Sequence, residues 1–113
     1  GAAGQRDKSK RPLMGEISSK YSDVIILTAE DPRSERIEDI NAQIKLGIKS
    51  FKGELFELPA RQEAINFAIR IAQKGDTVIL TGKGHEKSMN LGRGEMPWSD
   101  HQAVKKALIT NNL

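Results

Sequence analysis

The stretch Asp76-Thr77-Val78-Ile79-Leu80-Thr81-Gly82-Lys83-Gly84-His85-Glu86 decides how this chain is read. Residues 76–80 are a short apolar run of the kind that forms a buried strand. The run opens into glycines flanking a cation, followed by an imidazole and a carboxylate. In open α/β sheets ligands bind beyond the carboxyl ends of strands, so these residues sit where chemistry is expected. Glycine lets the main chain come close to a ligand, and Lys83 and Glu86 can each pair with an opposite charge on it. Strand-ending Gly-Lys-Gly is also ordinary turn punctuation, and the pattern alone leaves both readings open. A P-loop is excluded, because Thr77 stands where its first glycine is required and Gly84 follows Lys83 in place of Ser or Thr. A zincin helix is excluded as well, because Met89 is the fourth residue after His85.

Outward from this stretch, strands and helices alternate. Pro12 suits the first turn of a helix whose Leu13, Met14, Ile17 and Tyr21 share one face. Residues 23–28 read as a buried strand, and Glu30-Asp31-Pro32-Arg33 as the loop after it. Ser34 can cap a helix with the core stripe Ile37, Ile40, Ile44 and Ile48. A weaker strand follows over Leu55–Leu58. A helix over Arg61–Gln73 then carries Ala64, Ile65, Ala68, Ile69 and Ala72 and stops at Lys74-Gly75. After the Gly-rich loop to Met96-Pro97, Ser99 and Gln102 form a capping box for a last helix with Val104, Ala107 and Leu108. This order predicts an α/β domain, a mostly parallel sheet covered by helices on both faces.

With 113 residues, 37% apolar and 29% charged, the composition is that of one ordinary globular domain. No apolar run approaches the ~18 residues of a membrane span, and the N-terminus has no signal-peptide core. Cysteine is absent, which removes disulfides, thiolate catalysis and Cys-based zinc sites together and fits a reducing cytoplasm. The opening on Gly1-Ala2-Ala3-Gly4, without an initiator Met, reads as a fragment of a longer protein. The net charge of +3 is concentrated: Arg6, Lys8, Lys10 and Arg11 meet only Asp7 within the first twelve residues. A nucleic-acid surface would spread its cations along a face among stacking aromatics, which this sequence does not do. A compact cluster on a glycine-bearing loop suits a small anion instead, although a solvated charge run has the same composition.

Three polar segments, 1–11, 30–33 and 82–86, are thereby expected at one rim of the sheet, where convergence is harder to explain as turns than any one segment alone. In this order, Gly1-Ala2-Ala3-Gly4-Gln5-Arg6-Asp7-Lys8-Ser9-Lys10-Arg11-Pro12-Leu13-Met14-Gly15, Glu30-Asp31-Pro32-Arg33-Ser34-Glu35 and Gly82-Lys83-Gly84-His85-Glu86 resemble the C-terminal domain of the MurE-type Mur ligases. These enzymes add the third amino acid, meso-diaminopimelate or L-lysine, to UDP-N-acetylmuramoyl-L-alanyl-D-glutamate in peptidoglycan synthesis in the bacterial cytoplasm. The resemblance covers nearly the whole chain and implies a Rossmann-like three-layer domain, with the chain beginning just after the domain's first strand. It implies further that ATP, Mg2+, the P-loop and a carbamylated lysine belong to a central domain outside this sequence. ATP would phosphorylate the glutamyl carboxylate there, and the incoming amine would attack the acyl phosphate.

On the same resemblance, the domain recognises the incoming amino acid, makes no nucleic-acid or membrane contact, and is inactive alone. Arg6 would bind a carboxylate of diaminopimelate, and Arg33, in Glu30-Asp31-Pro32-Arg33, the distal carboxylate, a task suited to a planar fork. Gly82, through its carbonyl, and Glu86 would hold the distal ammonium. Lys8 and Lys10 would assist at ATP phosphates, His85 would shape its loop and Trp98 would pack. Glu30-Asp31 stands where diaminopimelate enzymes usually have Asp-Asn, and Gln5 where Asp is common. Arg33 favours diaminopimelate, and the extra carboxylate at Asp31 leaves lysine or another diamino acid as an alternative. A cyanophycin- or folate-type ligase relative, or a stand-alone anion- or nucleotide-binding module, is a further alternative.

Overall fold

The computed structural model describes all residues, 1–113. Its elements follow in the order α1 (Lys10–Tyr21), β1 (Val24–Leu27), α2 (Ile37–Lys45), β2 (Glu54–Glu57), α3 (Arg61–Ile71), β3 (Ser88–Asn90), β4 (Glu95–Pro97) and α4 (Asp100–Thr110). β1 and β2 pair in parallel, Val24 opposite Glu54 and Leu27 opposite Glu57. Such a pair needs a crossover, and α2 supplies it.

Successive side chains of β1 point to opposite faces, and each face has its own core. Ile25 and Leu27 pack with Ala2, Ile40 and Ile44, joined by Met14, Ile48 and Phe51, under α1 and α2. On the other side, Ile65, Ala103 and Ala107 form a second cluster with Ile69, Leu80, Trp98 and Val104 under α3 and α4. Phe56 of β2 meets Phe67 of α3 edge to face, with ring centroids 4.7 Å apart. The result is helix pair, sheet and helix pair in three layers, the expected α/β sandwich.

Several local expectations change. Residues 76–80 do not form a paired strand: the segment runs past α3 with Leu80 in the second core, but residues 77–81 make no backbone–backbone hydrogen bond. Ser34 is not the cap of α2, which starts later, with Arg36 at the N-cap and no side-chain cap bond. In α1 the predicted apolar face is split. Met14 packs inward, whereas Leu13, Ile17 and Tyr21 are exposed, because Gly15 brings α1 against the carbonyl of Ile44 and fixes which face meets α2. Within the segment read as loop, β3 and β4 form an antiparallel hairpin, Met89 opposite Met96. The Ser99 cap holds, accepting from the Gln102 amide at 3.3 Å.

Candidate functional site

The three polar segments meet at the carboxyl end of β1. The Gly4 amide donates to the Asp31 carbonyl at 2.6 Å, and a side chain at Gly4 would collide with the Pro32 backbone. Arg33 closes the same junction by donating Nη1 to the Gly4 carbonyl at 2.8 Å. Its backbone amide donates to the Asn90 carbonyl, and its φ of 53° lies in the left-handed region, where a residue with Cβ costs about 1–3 kcal/mol. Packing from residue 4 on one side and β3 on the other holds Arg33 in that conformation. Its side chain keeps about a fifth of its surface open, so the guanidinium remains reachable.

The third segment joins through Lys83. Its ammonium is fully buried, 2.8 Å from Asp31 Oδ1 and 3.4 Å from Glu86 Oε1. Asp31 Oδ1 also accepts from the Asn90 amide at 2.9 Å, and Oδ2 lies 4.0 Å from Arg33 Nη2. Burial alone would raise the Asp31 carboxyl. The hydrogen bonds from Lys83 and Asn90, with the charges of Lys83 and Arg33, outweigh it and hold Asp31 below the usual carboxylate range. Lys83 is the mirror case: burial pulls it down, and its bonds and charge pairing with Asp31 and Glu86 lift it above the ordinary lysine value. Glu30 goes the other way, pushed up by burial and then by the charge of Asp31, with Glu86 adding to it against the opposing pull of Lys83. Gly82 stands against the Glu30 side chain with a φ of 100°, a conformation and a clearance that suit glycine alone.

Lys83 is therefore not a free cation for a ligand, as its sequence position suggests, but the internal counterion of Asp31 and Glu86. Asp31 likewise faces inward. Glu30, Glu86 and Arg33 retain exposure, and Arg6 stands exposed on the neighbouring loop without a side-chain partner. Lys8 and Lys10 are exposed at the start of α1, Lys8 4.0 Å from Glu35. His85 is exposed, and Trp98 donates Nε1 to Asp100 at 2.7 Å.

Two structural arginines were hidden in the sequence. Arg11, which reads there as part of the cationic cluster, is wholly buried. It donates to both Glu35 carboxylate oxygens at 3.0 and 3.1 Å, to Gln43 and to the Ala3 carbonyl. With the Gln5 amide also donating to Glu35, that carboxyl is held down to about 2, first by the Arg11 hydrogen bonds. Arg61 donates Nε and Nη2 to Asp100 at 2.9 and 2.8 Å, and also reaches the carbonyls of Ala29 and Thr81. It thus ties α3 and α4 to the exits of β1 and of the 77–81 segment. Neither arginine has a local signal, since the partners lie 20 or more residues away except for Ala3.

Residues 1–84 match the family model described as "Mur ligase, glutamate ligase domain". The chain belongs to the Mur ligases. Among its Mur-ligase relatives is the UDP-N-acetylmuramoyl-L-alanyl-D-glutamate--2,6-diaminopimelate ligase of Caldanaerobacter subterraneus subsp. tengcongensis, 48% identical over 96% of this chain and 22% of that protein. The ligase of the same name from Rhizobium meliloti is 46% identical over 96% of the chain and 21% of its own length. The UDP-N-acetylmuramyl-tripeptide synthetase of Borreliella afzelii is 44% identical over 97% of the chain and 22% of its length. A solved structure of a UDP-N-acetylmuramoyl-L-alanyl-D-glutamate--2,6-diaminopimelate ligase superposes with a TM-score of 0.91 at 35% identity, covering 98% of this chain and 23% of that one. The chain spans about a fifth of the length of these Mur ligases. No helix is long and apolar enough to cross a membrane.

Proposed function

We propose that this chain is the C-terminal, amino-acid-recognising domain of an ATP-dependent ligase that joins meso-diaminopimelate to UDP-N-acetylmuramoyl-L-alanyl-D-glutamate in the bacterial cytoplasm. The observation that carries this reading is the juxtaposition of a reachable guanidinium with a carboxylate cluster that has surplus negative charge. Asp31 and Glu86 share the single ammonium of Lys83, and the neighbouring Glu30 is pushed up first by its burial and then by the charge of Asp31. A second cation would relieve that cluster, and an anion would pair with Arg33 beside it. The zwitterionic distal end of meso-diaminopimelate carries both charges. Its ammonium is assigned to Glu86, the Gly82 carbonyl and Glu30, its distal carboxylate to Arg33 and another carboxylate to Arg6. Asp31 and Pro32 position this loop.

ATP and Mg2+ are assigned to the central domain of the same polypeptide, which supplies the acyl phosphate. This domain alone has no ATPase activity in the proposal, and Lys8 and Lys10 approach the phosphates only when the domains close. Closure expels water before the amine attacks the acyl carbon, phosphate leaves and a proton is lost. The two relatives named for diaminopimelate support that amino acid over lysine.

Steady-state kinetics of Arg33→Ala in the full-length ligase test the assignment. Removing a charge-assisted partner from a closed site costs roughly 2–5 kcal/mol in kcat/KM for meso-diaminopimelate. Lysine has no distal carboxylate, so its poor use changes little. Equal losses with both amino acids would mean that Arg33 only holds its loop through the Gly4 carbonyl.

A further inference from the structure

The β3–β4 hairpin starts two residues after Glu86, and its first strand ends against Arg33. The Trp98 amide closes the base by donating to the Lys87 carbonyl at 2.9 Å, and Met89 is buried. Asn90, the last residue of β3, then holds the loop 30–33 at two points. Its amide donates to Asp31 Oδ1 at 2.9 Å, and its carbonyl accepts from the Arg33 amide at 3.1 Å. The side-chain Oδ1 of Asn90 turns back on the hairpin tip instead and accepts from the Gly92 amide at 2.9 Å. That bond folds the tip over and sets Gly92 against the backbone carbonyl of Arg33.

Gly92 is exposed, so core packing does not call for a glycine there. Two local features do. Its φ is 107°, and a Cβ at this position would stand 2.7 Å from the Arg33 carbonyl oxygen, closer than a methyl group can approach. Gly94, in the same tip, has a comparable φ of 88° but would meet nothing within contact distance. The two glycines thus separate the shape of the tip from its contact with Arg33. A methyl at residue 92 leaves two ways out: the Arg33 carbonyl retreats, or the tip retreats and stretches the bond between Asn90 and the Arg33 amide. Either way Arg33 moves, because its own φ of 53° is held only by its neighbours.

Resting on the assignment of the distal carboxylate to Arg33 and the distal ammonium to Glu86, we infer that the hairpin is the spacer between these two groups and that Gly92 is a positioning residue for Arg33. The ammonium and carboxylate at the end of an amino acid share one carbon, so their separation is fixed and the groups that bind them must be held at one spacing. Glu86 stands at the base of the hairpin and Arg33 against its tip, so one short element sets both. Gly92 acts through Arg33. What it controls is the preference for an amino acid with a distal carboxylate over one without.

The test is steady-state kinetics of the full-length ligase with meso-diaminopimelate and with L-lysine, for Gly92→Ala, Gly94→Ala, Arg33→Ala and the Gly92→Ala/Arg33→Ala double variant, with thermal melts to check folding. Gly92→Ala is expected to lower the ratio of kcat/KM for meso-diaminopimelate to that for lysine by about 10- to 100-fold. Gly94→Ala should leave that ratio within about twofold of the parent's. With Arg33 already truncated, Gly92→Ala should lower the ratio no further, since the group it positions is gone. Asn90→Ala removes the bond that shapes the tip without a collision; it should lower the ratio by about threefold and carries the test if Gly92→Ala does not fold. The inference is overturned if Gly92→Ala lowers both substrates alike, if Gly94→Ala matches it, or if the losses at Gly92 and Arg33 multiply. An Arg33→Ala enzyme with an unchanged ratio would remove the recognition assignment and the spacer with it, whereas a selective Arg33→Ala beside an unselective Gly92→Ala would strike out the spacer alone.

Discussion

Replacing Lys83 by Met puts the central ion pair to the test. The substitution keeps most of the buried aliphatic stem and removes only the ammonium, which sits 2.8 Å from Asp31 and 3.4 Å from Glu86 with no exposed surface. Removing one partner of a buried pair costs about 3–5 kcal/mol, because the other charge stays behind uncompensated. The lower end applies here, since Asp31 retains the Asn90 amide and the more distant Arg33, and Glu86 is half exposed. A loss of about 3 kcal/mol lowers the melting temperature of a domain this size by roughly 12 °C. Urea denaturation followed by circular dichroism at neutral pH measures it. The pH dependence carries a second signature. Asp31 is held low in the fold, so its contribution is present above the unfolded value of ~3.9 and is lost as pH falls through the lower folded value. Lys83 is held high, so its contribution is present below ~10.4 and is lost as pH rises through the higher folded value. The gap between parent and variant should be widest between those limits and close outside them. A loss under about 1 kcal/mol at neutral pH, or a gap indifferent to acid, would refute the view that this pair holds the site together.

Glu30→Gln should stabilise the domain at neutral pH, by up to about 1 kcal/mol after allowing for solvent around a half-exposed side chain. The folded pKa of Glu30 is raised, so its favourable contribution exists below the unfolded value near ~4.3 and is lost as pH rises; thermal melts should therefore converge in acid. The same variant in the full-length ligase should raise KM for the diamino acid, and an unchanged KM would remove Glu30 from the ammonium site. Arg61→Lys keeps the charge but not the fork that serves Asp100, Ala29 and Thr81 together; a loss of about 3 kcal/mol in urea melts and faster proteolysis near residues 77–86 are expected. Stability within about 0.5 kcal/mol of the parent would show that a point charge suffices.

What could be read in advance was whatever depends on near neighbours. The stripe through Ile40 and Ile44 turned inward as its period requires, and Ser99 capped α4 through Gln102. The order of elements placed the segments 1–11, 30–33 and 82–86 at one rim because consecutive elements of an α/β chain stack predictably. Non-local pairing was not legible. Residues 76–80 have the composition of a strand, but a strand also needs partners on its edges, and no apolar count reveals these. The hairpin of β3 and β4 is too short, and Ser88-Met89-Asn90 too poor in β-branched residues, to stand out. Arg11 reads as a surface cation because its acceptors Glu35 and Gln43 are far along the chain. The same distance concealed Lys83, whose charge looked available to a ligand and is matched instead by Asp31 across 52 residues.

The bonds that the Asp31 carboxylate and the Arg33 amide make to Asn90 have a consequence for how the protein is made. Asp31 precedes its hydrogen-bond donor by 59 residues, so on the ribosome the loop 30–33 emerges long before the backbone that holds it. Synthesis at ~5–20 residues per second leaves that loop waiting for several seconds with a left-handed arginine held only from the Gly4 side. The loop 30–33 thus gains its full set of hydrogen bonds only after the hairpin has been translated, and a chain stalled before Asn90 lacks the bonds that fix the Asp31 carboxylate and the Arg33 amide.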